Sequence, residues 1–323
     1  MRQRIDRRSF LKVAGVSIGS AVLYQFAPRL TAGADAAESM RELNGEAPAP
    51  FTFVQMSDTH VGFKGPPDPL GTQAFERAVA TVNRLAATPE LVLFTGDLTH
   101  DSDDQDEHAK RMKRFAEIAR GIKAAKLHFV PGEHDAALDG GILYREHFGE
   151  TSYSFDYRGV HFVALDNVSR GRPEVGKERI AWLRDDLARF PKTAPMIVFT
   201  HRPLFDLRPD WEWFTSDGPA VMEVLAPYEN VTVLYGHIHR NDEHRIGKSV
   251  HYAGRSLAFS FPDPQTKGAK KPVAFNAAHP FRNLGIRTIR TAQAEPVKID
   301  EVELTLNEYG TSGIQQFAKK GEV

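Results

Sequence analysis

Hydrophobic positions along this chain of 323 residues follow two spacings. Short apolar or β-branched runs recur at 51–56, 91–95, 127–130, 196–200 and 231–235, the length and composition of buried strands. Between them, apolar residues return at every third or fourth position, as on one face of a helix. Phe75, Val79, Val82 and Leu85 predict a helix over 72–87, and Phe115, Ile118, Ala119 and Ile122 predict one over 107–124. A third is expected near 176–189 with Trp182 and Leu183 buried, and a fourth over 220–226. Residues 152–157 and 160–165 flank Arg158-Gly159 and read as a hairpin. Later, 244–253, 284–289 and 297–306 read as strands, and 265–272 as a basic, flexible loop. Strand, helix and strand in succession make an α/β fold, whose sites form at the carboxyl ends of the strands.

The first 37 residues break this pattern. Arg2, Arg4, Arg7, Arg8 and Lys12 precede an apolar run from Val13 to Phe26, and small residues follow at Ala32-Gly33-Ala34 and Ala34-Asp35-Ala36. Cationic start, apolar centre and A-x-A site are the parts of a cleaved leader, and the apolar run is short for a spanning helix. The segment Arg7-Arg8-Ser9-Phe10-Leu11-Lys12 resembles the twin-arginine export signal. That resemblance implies transport of an already folded protein by the twin-arginine translocase. The destination would be periplasmic or secreted, with any cofactor loaded beforehand and no stable membrane span in the mature form. The expected organisation is a signal peptide at 1–37, a linker at 38–50, a catalytic domain at 51–310 and a tail at 311–323. The leader carries six cations against two anions, so its loss makes the formal charge of −1 four units more negative. A mildly acidic chain is not a general nucleic-acid binder. There is no cysteine, which excludes disulfides, thiolate metal sites and cysteine nucleophiles.

The chemistry gathers where the strands end. The first run leads into Asp58 and His60, which flank Thr59 and would point the same way in an extended segment. Gly96-Asp97 ends the second, Gly132-Glu133-His134-Asp135 the third, His201 the fourth and Gly236-His237-Ile238-His239 the fifth. The gaps of 37 residues from His60 to Asp97, 36 to Glu133, 68 to His201 and 36 to His237 suit βα units that return the chain to one edge of a sheet. Seven nitrogen and oxygen donors exceed one four-coordinate ion and suit two ions sharing a carboxylate.

In this order, Asp-x-His, Gly-Asp, Gly-Glu-His-Asp, His and Gly-His-x-His resemble the calcineurin-like metallophosphoesterase superfamily, over about 51–255. The likeness is nearest to its cyclic-nucleotide phosphodiesterase and purple acid phosphatase branches. The resemblance implies a four-layer αββα sandwich and a dinuclear centre. Asp58, His60 and His239 would hold one metal; Glu133, His201 and His237 the other; and Asp97 would bridge them. The metals would be Fe, Mn or Zn, and a bridging hydroxide would attack the phosphorus of a small-molecule phosphomonoester or phosphodiester. His134 would stand at the leaving group, as general acid or electrostatic stabiliser. Asp135 could fix its tautomer. Two narrower or different readings stay open: a cyclic-nucleotide phosphodiesterase, and an exported metal- or ligand-binding protein without turnover.

The chain departs from the family pattern twice. Position 133 is Glu where the family usually has Asn, and His100 stands where purple acid phosphatases carry an iron-binding Tyr. His100 could therefore be an extra ligand or a loop residue. Asp101 to Asp106 read as a solvated acidic loop, and Lys267, Lys270 and Lys271 as exposed cations. Arg202, Arg240, Asn276, His279 and Arg282 could approach a phosphate but carry no motif.

Overall fold

The structure is a computed structural model that describes residues 50–124, 126–291 and 297–305. The expected leader, nearly all of the linker and the tail lie outside the described residues. In chain order the elements begin β1 (Thr52–Met56), α1 (Gln73–Val82), β2 (Leu91–Thr95), α2 (Gln105–Ala119) and β3 (Lys126–Val130). Two short helices follow, α3 (Glu133–Ala136) and α4 (Ile142–Phe148). Then come β4 (Tyr153–Tyr157), β5 (Val160–Ala164), α5 (Lys177–Leu187), β6 (Pro195–Phe199), α6 (Gly218–Leu225) and β7 (Asn230–Tyr235). The described chain ends with β8 (Asp242–Ile246), β9 (Ser249–Ala253), β10 (Gly285–Arg290) and β11 (Lys298–Glu303).

These strands make two mixed sheets, ordered β11-β10-β1-β2-β3 and β4-β5-β6-β7-β9-β8. The alternation of side chains along each strand explains why the sheets stack. Phe53, Leu91, Leu93 and Val130 from the first sheet meet Phe162, Ala164, Ile197, Phe199 and Leu234 from the second in one apolar layer. The intervening residues Val54, Met56, Val92 and Phe94 turn outward onto Phe75 and Val79 of α1 and Met112 and Phe115 of α2. Val163, Met196, Val198 and Val233 do the same against Leu183 and Leu187 of α5 and Val221 and Leu225 of α6. Strands buried on both faces must read as near-continuous apolar runs, which is the signal the sequence carried. The result is an α/β sandwich of helix, sheet, sheet and helix.

Three expectations are corrected. The span 244–253 is not one strand but a hairpin, because Gly247 at φ 60° lets Gly247-Lys248 turn the chain between β8 and β9. Helix α1 stops at Val82, where Asn83 receives a bond from the Lys123 backbone N–H and donates to the Gly121 carbonyl. Trp182 is only partly buried, whereas Leu183 is fully enclosed. The acidic stretch before α2 also has a structural member: Asp104 caps the helix by accepting from the backbone N–H groups of Asp106 and Glu107. No helix of the described residues is long and apolar enough to cross a membrane.

Candidate metal centre

The loops after β1, β2, β3, β6 and β7 leave the two sheets at one rim and are laced together by their backbones. Asp58 N–H bonds to Gly96 O at 3.0 Å, His60 N–H to Asp97 O at 3.0 Å, and Gly236 N–H to His201 O at 2.9 Å. Asp58 joins the sheets through its side chain, accepting the His237 N–H at 3.1 and 3.2 Å. The donors do not continue the strands. Asp58, His60, Asp97, His237 and His239 all have left-handed backbones, at φ 54°, 41°, 49°, 66° and 53°. Such conformations cost about 1–3 kcal/mol each and persist where surrounding structure imposes them, which is commonest at functional sites. The extended geometry expected around Thr59 is therefore wrong, although Asp58 and His60 still converge. Gly132 and Gly236 make the crowding possible. A Cβ at Gly132 would lie 2.0 Å from Asp97 Oδ1, and one at Gly236 would lie 2.0 Å from Ser57 Oγ and 2.7 Å from Asp58 Oδ2.

Two sets of possible metal donors meet at Asp97, beside a third group made of His60, His100 and His134. One is Asp58, His60, Asp97 and His239, all buried; the other is Asp97, Glu133, His201 and His237. Asp97 belongs to both. Its Oδ2 lies 3.4 Å from His60 Nε2 and 3.4 Å from His201 Nε2, while Oδ1 accepts the His134 N–H at 3.1 Å. Three histidines have their second nitrogen committed to a carbonyl. His201 Nδ1 donates to Thr95 O at 2.7 Å, His239 Nδ1 to Phe259 O at 2.7 Å and His237 Nε2 to Glu212 O at 3.1 Å. Each bond fixes the tautomer that turns a lone pair toward the cluster, as metal-binding histidines require.

The donor set fits cations. His60 Nε2 and His239 Nε2 face each other at 3.0 Å. Burial first, and then His239, hold the pKa of His60 well below the ordinary histidine value. Glu133 Oε2 and His201 Nε2 approach to 2.8 Å without hydrogen-bond alignment, and both atoms are buried with no partner. Burial would raise the pKa of Glu133, but Arg202, His237 and His201 outweigh it and hold the carboxylate ionised. Carboxylate and imidazole, with no thiolate, suit Fe, Mn or Zn. Glu133 Oε1 also lies 2.8 Å from His237 Nδ1 and 3.4 Å from Arg202 Nη2, so the glutamate points into the centre.

His134 sits beside these donors, its ring centroid 5.0 Å from that of His60. Its Nδ1 is 2.5 Å from Asp101 Oδ1. The role expected of Asp135 therefore belongs to Asp101. Asp135 is fully buried and accepts from the N–H groups of Leu98, Thr99 and Gly132 at 2.9, 2.8 and 2.9 Å, locking the β2 and β3 loops together. Burial would lower the pKa of His134, but Asp97 and the bond to Asp101 bring it up to about 9. His100 stands outside the two sets that share Asp97 but forms the third donor group with His60 and His134. It packs 4.4 Å from the His134 ring, with its Nδ1 3.4 Å from His60 Nδ1. Burial and then His134 bring its pKa down to about 4. The sequence reading also missed the carbonyls of Phe259 and Glu212, which no side-chain motif can show. For Asp101 a signal existed: β2 and β3 are parallel neighbours, with Thr95 opposite Val130, so the loops bearing Asp101 and His134 leave side by side.

Comparison with known proteins adds to this geometry. Residues 51–241 match the family model described as calcineurin-like phosphoesterase. The chain is 28% identical over 201 residues to a probable glycerophosphodiester phosphodiesterase of Arcobacter nitrofigilis, covering 58% of this chain and 71% of that protein. It is 27% identical over 219 residues to a serine/threonine-protein phosphatase of Danio rerio, covering 59% and 71%. A probable cyclic nucleotide phosphodiesterase of Rhodopseudomonas palustris is 27% identical over 213 residues, covering 58% and 71%. Among solved structures, a purple acid phosphatase from yellow lupin seeds superposes with a TM-score of 0.59 at 12% identity, covering 79% of this chain and 52% of that one. The chain thus spans about half of the lupin protein. A dimetal phosphatase from Danio rerio superposes with a TM-score of 0.51 at 14% identity, covering 79% and 99%. At such identities the superpositions speak for the fold, two mixed sheets between helices.

Proposed function

The chain belongs to the calcineurin-like phosphoesterase family and is a metal-dependent hydrolase, and from that premise we propose that it hydrolyses phosphomonoesters or phosphodiesters at a dinuclear centre outside the cytoplasm. The observation that carries the dinuclear reading is the pair of four-residue donor sets sharing Asp97. In it, Asp58, His60 and His239 would hold one ion and Glu133, His201 and His237 the other, with Asp97 available to both sets. Ions bound there supply polarisation of a phosphoryl oxygen and activation of a water nucleophile near neutral pH.

The protein's own groups do the rest. The backbone lacing fixes the spacing of the donors before substrate arrives, so little reorganisation is left for the reaction. Asp101 holds His134 Nδ1 and favours the protonated ring, so that Nε2–H can donate toward a departing oxygen. A water oxygen forms the new bond to phosphorus, the ester P–O bond breaks, and the leaving oxygen takes the His134 proton. The relatives are named for glycerophosphodiesters, cyclic nucleotides and serine/threonine-protein phosphates. What these share is a phosphorus–oxygen ester, and that substrate class is the one assigned here. Export rests on the sequence of residues 1–37 alone.

The deciding experiment combines metal analysis with turnover of an aryl phosphate, on protein purified without chelator. About two metal ions per chain with turnover are expected. Bound metal without turnover of any ester in a panel of monoesters, diesters and cyclic nucleotides would replace this reading with that of a binding protein. Turnover confined to cyclic nucleotides would narrow it to the phosphodiesterase.

A further inference from the structure

The segment between Ser260 and Val273 is not the free basic loop that its composition suggests. Its base is closed by Val273 N–H to Ser260 O at 2.8 Å, and Asp263 is held by Arg240 Nη2 at 3.0 Å. Arg208 fastens the middle: its Nη1 donates to Pro264 O at 2.5 Å and Thr266 O at 2.6 Å, and its Nη2 to Gly268 O at 3.4 Å. The guanidinium lies 3.9 Å from the Trp211 ring, whose Nε1 also donates to Gly268 O at 3.3 Å. One arginine thus satisfies three carbonyls of a strap whose first turn sets Phe261 5.1 Å from the His239 ring.

The strap delivers Lys270. Its Nζ lies 5.2 Å from the centroid of Phe261, and Phe261 in turn lies 5.1 Å from the ring of His239. Lys270 is half-buried. Burial lowers its pKa, and Glu133 is foremost among the charges acting in the opposite sense, with Asp97 also contributing. Among the described residues its ammonium has no hydrogen-bond or ion-pair partner. Arg202, a second cation at the centre, is already committed: its Nη1 donates to Glu212 O at 2.7 Å and its Nη2 lies 3.4 Å from Glu133. Three carboxylates, Asp58, Asp97 and Glu133, converge here, and each cancels positive charge that would attract a phosphate. The Lys270 ammonium, separated from His239 by the Phe261 ring and without an ion-pair partner among the described residues, answers that deficit.

We propose that Lys270 anchors the non-bridging oxygens of the substrate's phosphoryl group, and that Arg208 is the positioning residue that holds the strap so that it can. This rests on the phosphoesterase reading for the identity of the substrate, but binding of inorganic phosphate tests it separately. A point charge favours a dianionic monoester over a monoanionic diester, so Lys270 also biases selection toward monoesters.

The experiment uses metal-loaded protein and two readouts: calorimetric binding of inorganic phosphate, and KM and kcat for an aryl monoester and a bis-aryl diester. Lys270→Ala should weaken phosphate binding about ten- to a hundredfold, as expected for a charge-assisted contact, with metal content unchanged. KM should rise more for the monoester than for the diester, and Lys270→Arg should recover part of the loss. Arg208→Ala should reproduce the weakening, and the double variant should be no worse than Lys270→Ala alone. Wild-type phosphate affinity in Lys270→Ala would overturn the anchor, and additive losses in the double variant would overturn the role of Arg208. Phosphate binding that depends on Lys270 in a protein without turnover would uphold the anchor and overturn the hydrolase reading instead.

Discussion

Asp97 places a single oxygen 3.4 Å from a nitrogen of His60 and 3.4 Å from a nitrogen of His201, so the seven donors form two overlapping sets instead of one crowded one. Residues of this kind were legible before folding was known, because metal chemistry restricts ligand types and each lies just past an apolar run. Their neighbours were not. Asp135 and Asp101 are equally acidic, and only the fold shows that Asp135 ties two loops together while Asp101 receives His134. That distinction sets a prediction. His134→Ala should keep the wild-type metal content and lose turnover by on the order of 10²–10⁴-fold, the range for removing a general acid. Asp101→Asn should lose less, because the ring remains. The His134→Ala defect should shrink for esters whose leaving groups need no proton, measured across a series of aryl phosphates. Equal losses along the series would remove the acid role and leave only charge stabilisation.

At the scale of elements, the central strands β1, β2, β5, β6 and β7 were the clearest part of the sequence, since burial on both faces leaves few polar residues within them. The hairpin of β8 and β9 was hidden because Gly247-Lys248 is a short interruption, and helix ends were blurred by apolar residues such as Leu85 that pack beyond the last turn. Two element-level predictions follow from close contacts. Gly236→Ala puts a Cβ where Ser57 Oγ and Asp58 Oδ2 already stand, so the β1 and β7 loops must part. The variant should keep its circular dichroism spectrum and bind less metal; full metal content would show that the loops yield without cost. His128 on β3 stacks on Phe155 of β4 at 3.8 Å, with neither nitrogen bonded. Burial, helped by Lys126, takes its pKa down to about 3. A histidine depressed in the folded state favours folding fully above its unfolded pKa of about 6.5 and loses that contribution as pH falls toward about 3. His128→Phe should therefore be more stable by about 1–3 kcal/mol at pH 7 through removal of unpaired polar atoms. Its advantage should widen below pH 6.5 by up to about 1.4 kcal/mol per pH unit. Urea unfolding of both proteins over this range measures the difference, in which effects shared by the two cancel. Parallel pH profiles would sink the assignment.

The molecule as a whole adds a constraint that no single loop carries. The donors run from Asp58 on the first sheet to His239 on the second, and the bonds that hold them, such as His201 Nδ1–H to Thr95 O and His237 N–H to Asp58, cross between the sheets. The centre therefore exists only once the sandwich has closed. Lys270 belongs to the same class of feature: it lies 31 residues beyond His239 with no motif around it, and becomes part of the site only through a strap pinned by Arg208. A chain that cannot gather its metals while unfolded gains from crossing a membrane already folded, which is what Arg7-Arg8 would arrange. Replacing both arginines with lysine conserves charge and apolar length, so a general secretion signal would hardly notice the change, whereas a twin-arginine signal would fail. The uncleaved precursor is expected to accumulate inside the cell. Because folding precedes transport on this route, the retained precursor should already carry metal and hydrolyse aryl phosphate. Fractionation followed by metal analysis of the cytoplasmic pool reads both outcomes. Normal export of the double variant would rule out the twin-arginine route, and a metal-free retained precursor would show that loading waits for the far side of the membrane.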